Sequence, residues 1–215
     1  MALKLDRKKF YDHVRISVFG GRLLPLQVDG MENLLDVQEK YLPDIAVDEL
    51  GYDLATSYHE TGASMQPITE RGARSYFDQY EPGTKKGRML GNTVKGDGFR
   101  YRGEGHVMNT GRRNAAYATT QLNKKFNLGI DLIAHPELRG DPKISALSLF
   151  LGNREGWWTG KDLSDFLDGV DESDAEDLRE FVNARRVVNG TDKAEKIGRY
   201  ALGFEKAIRG ALVQA

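Results

Sequence analysis

Two glutamates ten residues apart carry the residue types best suited to acid–base chemistry: Glu60 in Tyr58-His59-Glu60-Thr61-Gly62 and Glu70 in Thr69-Glu70-Arg71-Gly72. The first closes an apolar stretch with helical spacing, and the two flank a turn. Hydrolysis of a glycosidic bond uses such a pair, because one carboxylic acid protonates the leaving oxygen while a second, ionised carboxylate activates water or attacks the sugar. Different surroundings can set the two pKa values apart. Spacing alone leaves the alternative open that both are surface charges, since 32 acidic residues make many such pairs.

Other chemistries fit less well. His59-Glu60 matches the start of a zinc-protease helix, but that motif needs a second histidine four residues after the first, and position 63 is Ala63. With four histidines, His13, His59, His106 and His135, and no cysteine, no metal site or other cofactor is expected. His59 then reads as a hydrogen-bonding partner. A formal net charge of −1 provides no basic field for nucleic acid or anionic lipid. The Lys-rich start, Met1 to Phe10, is not followed by the apolar core of a signal peptide, and the apolar stretch Ala146 to Leu151 is far short of the ~20 residues that span a bilayer. Neither nucleic-acid binding nor stable membrane insertion is expected, and the site of synthesis is expected to be the host cytoplasm.

The elements that must position the two glutamates are mostly helical, and 40% hydrophobic against 29% charged residues is ordinary for a folded globular chain. Apolar spacing predicts helices over Val28 to Tyr41 and Ile45 to Tyr58, the second delivering His59 and Glu60 at its C-terminal end. Thr110 to Phe126 and Pro142 to Leu151 read as helices. Trp157-Trp158-Thr159 lead into another, with Thr159 and Asp162 spaced as a capping box. The last runs from Asp192 to Leu212, with Ile197, Tyr200, Ala201, Phe204, Ile208 and Leu212 as its apolar stripe after the Asn189-Gly190 turn. Glu81 to Gly105, rich in glycine, reads as a long loop forming a binding wall or a surface insertion. Asp162 to Glu180 holds nine acidic residues and reads as a solvated face. One domain is expected over residues 1–215, with an N-terminal helical segment of about 1–42 packing on a body of 43–215.

Longer strings add a family resemblance. His59-Glu60-Thr61-Gly62 followed by Met65-Gln66-Pro67-Ile68-Thr69-Glu70-Arg71-Gly72 resembles the "HET…MQP(I/V)xE-x-G" stretch of phage and bacterial lysozymes related to family 19 chitinases. Gly96 to Gly103 resembles their "GDGxRYRGRG" block, Thr110 to Asn114 their "LTGRxNY", Arg154 to Gly160 their "REGWFTG", and Asn183 to Gly190 their "NARRIING". The similarity runs in order from about Tyr52 to Phe204.

The resemblance implies a mainly α, lysozyme-like two-lobed fold with minor β structure and a substrate cleft, and an inverting hydrolysis with Glu60 as general acid and Glu70 as general base. It implies that Thr110 helps hold the attacking water, and that Asn114, Asn189 and Arg186 contact sugar or keep the carboxylates charged. His59, Tyr101 and Arg102 join the expected substrate contacts. Of the aromatics, Tyr101, Tyr76, Phe77, Trp157 and Trp158 are candidates to stack on sugar, the alternative being that they anchor helices. An arginine is expected near Glu70, and partial burial near Glu60. Glu104, Met108 and Ala115 depart from the family pattern at positions expected along the groove. The expected substrate is peptidoglycan, cut at its β-1,4 bonds by a monomeric endolysin reaching the wall through holin lesions. The alternatives are a chitinase acting on chitin and a non-catalytic wall-binding or virion protein.

Overall fold

The computed structural model describes residues 2–213. The chain is mainly helical, as the periodicity predicts. Its helices are α1 (Arg7–Ser17), α2 (Pro25–Tyr41), α3 (Val47–Glu60), α4 (Lys85–Met89), α5 (Asp97–Arg100), α6 (Arg112–Phe126), α7 (Pro142–Arg154), α8 (Asp174–Ala184) and α9 (Ala194–Ala211). Two short strands, β1 (Ile68–Thr69) and β2 (Glu104–Gly105), pair antiparallel with Ile68 opposite Gly105. The chain divides into two compact units, Met1–Met65 with Leu149–Ala215 and Gln66–Ser148. No helix among the described residues is long and apolar enough to cross a membrane.

The first unit is organised on α9. Its stripe Ile197, Ala201, Phe204 and Ile208 is fully buried, and α1, α3 and α8 all pack against it. Leu50 and Leu54 of α3, Phe10 and Val14 of α1 and Phe181 of α8 are buried in this unit. Each such side chain contributes roughly 1.5–3 kcal/mol on leaving water. The predicted stripe runs one residue too far, for α9 ends at Ala211 and Leu212 is exposed.

Several boundaries differ from the sequence expectation for local reasons. The Lys-rich start forms α1, which begins where the Asp6 carboxylate accepts the Lys9 N–H at 3.0 Å. Pro25 opens α2 three residues early, as a ring with fixed φ favours. The Trp157-Trp158-Thr159 segment leads only into a 3₁₀ turn, Leu163–Asp165, because the Thr159 hydroxyl donates to the Arg186 and Val187 carbonyls instead of capping a helix. The acidic run Asp162 to Glu180 is not wholly a solvated face: α8 starts within it, and Leu163, Leu167 and Asp177 are buried.

The second unit replaces the expected Glu81–Gly105 loop with two short helices tied by carboxylates. Glu81 accepts the Gly96 and Gly98 N–H groups at 2.8 and 3.1 Å. Asp97 accepts the Thr93 and Val94 N–H groups and a two-pronged contact from Arg112 at 2.8 and 2.7 Å. Glycine serves close packing here: a Cβ on Gly98 would lie 2.5 Å from the Phe77 carbonyl oxygen.

Glu180 on α8 is pushed up to about 7 by burial, reinforced by the charges of Asp168, Glu172 and Asp48. A carboxyl that holds its proton more tightly folded than unfolded supports the fold at low pH and loses that support as pH climbs from about 4.5 to 7. The melting temperature is therefore expected to fall as pH is raised from about 5 to 8, and Glu180→Gln to flatten that fall. An equal fall in both proteins assigns the pH dependence to other groups.

Candidate active site

Glu60 is the last residue of α3, in the first unit. The turn behind it is stapled by Thr61, whose buried hydroxyl donates to the Ser57 carbonyl at 2.7 Å and accepts the Met65 N–H at 3.1 Å. Arg185 lies on the Glu60 carboxylate, Nη2 to Oε1 at 3.0 Å, with only 2% of its side chain exposed, and its Nε donates to the Asp192 carbonyl. His59 is half-buried beside them. Burial lowers its pKa against the opposing charge of Glu60, which keeps the ring neutral at neutral pH.

The arginine paired with Glu60 is Arg185, not Arg186. Arg186 turns away, donating to the carbonyl and the side-chain oxygen of Asn183 at 3.4 and 2.5 Å. Arg185 and Arg186 begin a 3₁₀ turn, Arg185–Val187, in which successive side chains point about 120° apart. Asn189 follows with its side chain exposed and its N–H on the Arg185 carbonyl.

Glu70 belongs to the second unit, just after β1. Its N–H donates to the Gly103 carbonyl at 2.8 Å. Its carboxylate accepts the Gly103 N–H on Oε2 at 2.9 Å and the Tyr80 hydroxyl on Oε1 at 3.1 Å. Tyr80 is itself placed by Asn92, whose amide donates to the Tyr80 carbonyl at 2.8 Å and accepts the Arg112 N–H. Gly103 is tightly faced by side chains: a Cβ there would lie 3.0 Å from the Met108 methyl, 3.1 Å from Glu70 Oε2 and 3.2 Å from the Thr110 hydroxyl oxygen, so these neighbours would have to give. Glu70 and Thr110 thus meet over one glycine. The guanidinium expected beside Glu70 is on Glu60 instead, and the donors on Glu70 are neutral.

Thr110 does not cap α6, which starts at Arg112 with Gly111 ahead of it. Its hydroxyl donates to the Met108 carbonyl at 2.7 Å, leaving oxygen lone pairs as acceptors. Asn114 donates to the Thr110 carbonyl at 2.9 Å and so holds that turn. A groove of about 620 Å³ runs alongside, lined by Ile68, Glu70, Arg71, Phe77, Phe99 and Arg102. The Arg102 guanidinium stacks on Phe99 at 4.2 Å and donates to its carbonyl at 2.8 Å.

Tyr101 does not reach this groove. It is fully buried, with its hydroxyl on the Ile133 carbonyl at 3.0 Å, and no sugar can stack on it. Nor does Ala115 line a groove, being fully buried in α6. Trp158 anchors structure through Asn153, which in turn donates to the buried Asp53. Glu104 points inward, accepting the Thr69 hydroxyl at 2.9 Å and pairing with Arg139 at 3.6 Å. Tyr80, Gly103 and Arg185 are the residues that sequence reasoning did not assign to the site; Gly103 stood beside Arg102 and Arg185 beside Arg186, whereas Tyr80 had no flagged neighbour.

Arg139 holds the loop that presents Gly103 and Thr110. Only 2% exposed, it donates to the carbonyls of Pro136, Arg102, Asn109 and Arg100 at 2.9, 3.0, 2.7 and 3.2 Å. Burial lowers its pKa to about 10, partly offset by Glu104, so it stays charged at neutral pH. Among the described residues, carboxylates close enough in threes for a hard cation are Asp168, Glu172 and Glu180, and Asp171, Asp177 and Glu205. Neither trio includes Glu60 or Glu70.

Compared with known proteins, the chain matches no family model and no curated sequence.

A lysine at 139 keeps the charge but loses the fork that reaches four carbonyls. Arg139→Lys is expected to lower stability by about 3 kcal/mol, as buried carbonyls lose their donors. Chemical denaturation measures this, and an unchanged midpoint would remove Arg139 from the role given to it.

Proposed function

We propose that the chain is an endolysin-type glycoside hydrolase, similar to family 19 chitinases, that cleaves β-1,4 bonds of peptidoglycan with inversion. The observation that carries the proposal is the setting of Glu70: a carboxylate held by two neutral donors, packed over Gly103 beside an accepting threonine oxygen, on the wall of a groove. That arrangement suits a base that positions water. The ordered sequence motifs supply the rest of the assignment.

In the proposed reaction Glu60 gives its proton to the glycosidic oxygen as the bond to the anomeric carbon breaks. A water attacks that carbon from the opposite face, and its proton passes to Glu70. The water donates one hydrogen towards Glu70 and the other to Thr110, whose own proton is committed to the Met108 carbonyl. Arg185 fixes the rotamer of Glu60, and proton donation requires this ion pair to yield as the sugar enters. Tyr80 orients Glu70 and is a positioning residue.

The test is digestion of purified peptidoglycan followed by NMR of the fresh product and mass spectrometry of its ends. Initial α-anomer is expected from the β-linked substrate, and initial β-anomer would exclude water activated by Glu70. Glu60→Gln is expected to abolish cleavage with the melting temperature nearly unchanged, since the amide is isosteric but has no proton to give. More than a few per cent residual activity would make another residue the acid. Tyr80→Phe is expected to lower kcat about tenfold with KM little changed, the order of magnitude for one lost orienting hydrogen bond. Release of chito-oligosaccharides in preference to muropeptides would favour a chitinase, and sugar binding without cleavage a non-catalytic wall protein.

A further inference from the structure

The groove beside Glu70 is cationic in a way that a neutral polysaccharide does not require. Glu70 is the sole carboxylate among the residues lining it, against Arg71 and Arg102. A third guanidinium, Arg74, lines an adjoining pocket that shares Phe99, and Arg74 and Arg102 lie 4.9 and 4.2 Å from the centre of that ring. Asp78 and Glu81 lie on that side as well, and Glu81 is already engaged by the Gly96 and Gly98 amides. None of Arg71, Arg74 and Arg102 forms an ion pair among the described residues, and Arg71 and Arg74 are exposed. Both arginines buried among the described residues, by contrast, sit on a carboxylate, Arg139 on Glu104 and Arg185 on Glu60.

Stacking on an aromatic ring fixes the plane of a guanidinium and leaves its edge N–H groups pointing outward, which prepares it for bidentate contact with a planar anion. Chitin offers no such anion, because its acetylated sugars are neutral. A bacterial wall glycan does, through the carboxylates of the peptide stems attached to it.

We infer that Arg71 and Arg74, together with Arg102, form an anion-binding extension of the groove that takes the peptide-stem carboxylates of the glycan. The inference rests on the proposed glycosidase function and specifies its substrate class. It makes the enzyme selective for strands with ionised stem carboxylates over amidated or chitinous ones, through binding rather than through the chemical step.

The experiment compares intact sacculi with sacculi whose stem carboxylates have been converted to neutral amides by carbodiimide and ammonia, for the native chain and for Arg71→Gln/Arg74→Gln, following reducing ends. In parallel, calorimetry measures binding of a soluble stem-bearing tetrasaccharide and of chitotetraose to the Glu60→Gln chain. The native chain is expected to favour intact over amidated sacculi by about tenfold in KM at low salt, the preference shrinking as salt is added. In the double variant the ratio is expected to fall to near one. Arg71→Lys/Arg74→Lys, which keeps charge without the fork, is expected to give an intermediate ratio and serves if the glutamine variant fails to fold. Equal KM values for the two sacculi in the native chain, or an undiminished preference in both variants, would overturn the inference while leaving the glycosidase assignment standing. Tight, salt-sensitive binding of the stem-bearing ligand with no cleavage of any glycan would do the reverse.

Discussion

One buried guanidinium carries the second unit. That unit has almost no sheet, so the carbonyls of its loops have no ladder to join, and buried carbonyls without donors are costly. Arg139 answers four of them at once, at Pro136, Arg100, Arg102 and Asn109. Three of these lie in the stretch that also presents Gly103 to Glu70 and ends at Thr110. The position of the attacking water in the proposed reaction therefore depends on a residue that does not line the groove. Glu104 fits the same logic: it is an acid that neutralises Arg139 from inside and clasps Thr69 on the opposing strand.

Helical order was the most legible part of the structure, because stripes such as Ile197, Ala201, Phe204 and Ile208 follow directly from burying one face. The stretch from Glu81 to Gly105 was the least legible. Its glycines look like a flexible loop in sequence, yet at Gly98 backbone atoms occupy the space a side chain would need, and at Gly103 site atoms crowd it. Nothing in residue type distinguishes a glycine chosen for freedom from one chosen for contact. The acidic run after Asp162 misled similarly, since a charge pattern does not reveal that Asp177 turns inward on α8.

For the candidate site, motif order singled out Glu60, Glu70 and Thr110, and Glu70 and Thr110 both approach the open side of Gly103. Their partners were not. A tyrosine that stacks on sugar and one whose hydroxyl caps a buried carbonyl have the same letter, and Tyr101 is the second kind. The choice between Arg185 and Arg186 turned on the 3₁₀ geometry of three residues, below the resolution of any sequence pattern. Tyr80 reaches Glu70 only because Asn92 fixes its backbone, a link made twelve residues away.

The division of the chain has a bearing on how it is made. The second unit is one continuous segment, whereas the first is assembled from both ends of the sequence and needs α9, its last helix, as the surface on which α1, α3 and α8 pack. During vectorial synthesis the inserted segment is complete while the opening helices still lack that surface. The apolar face of α3 must then wait, through the translation of some hundred and thirty further residues, for the helix that covers it, and that of α1 longer still. The acid on α3 gains its setting last, since Arg185 also lies in the late-arriving half. A ribosome-bound chain would thus carry a finished unit with Glu70 and an unfinished one with Glu60, so that the chemistry proposed for the pair would have to wait for α9.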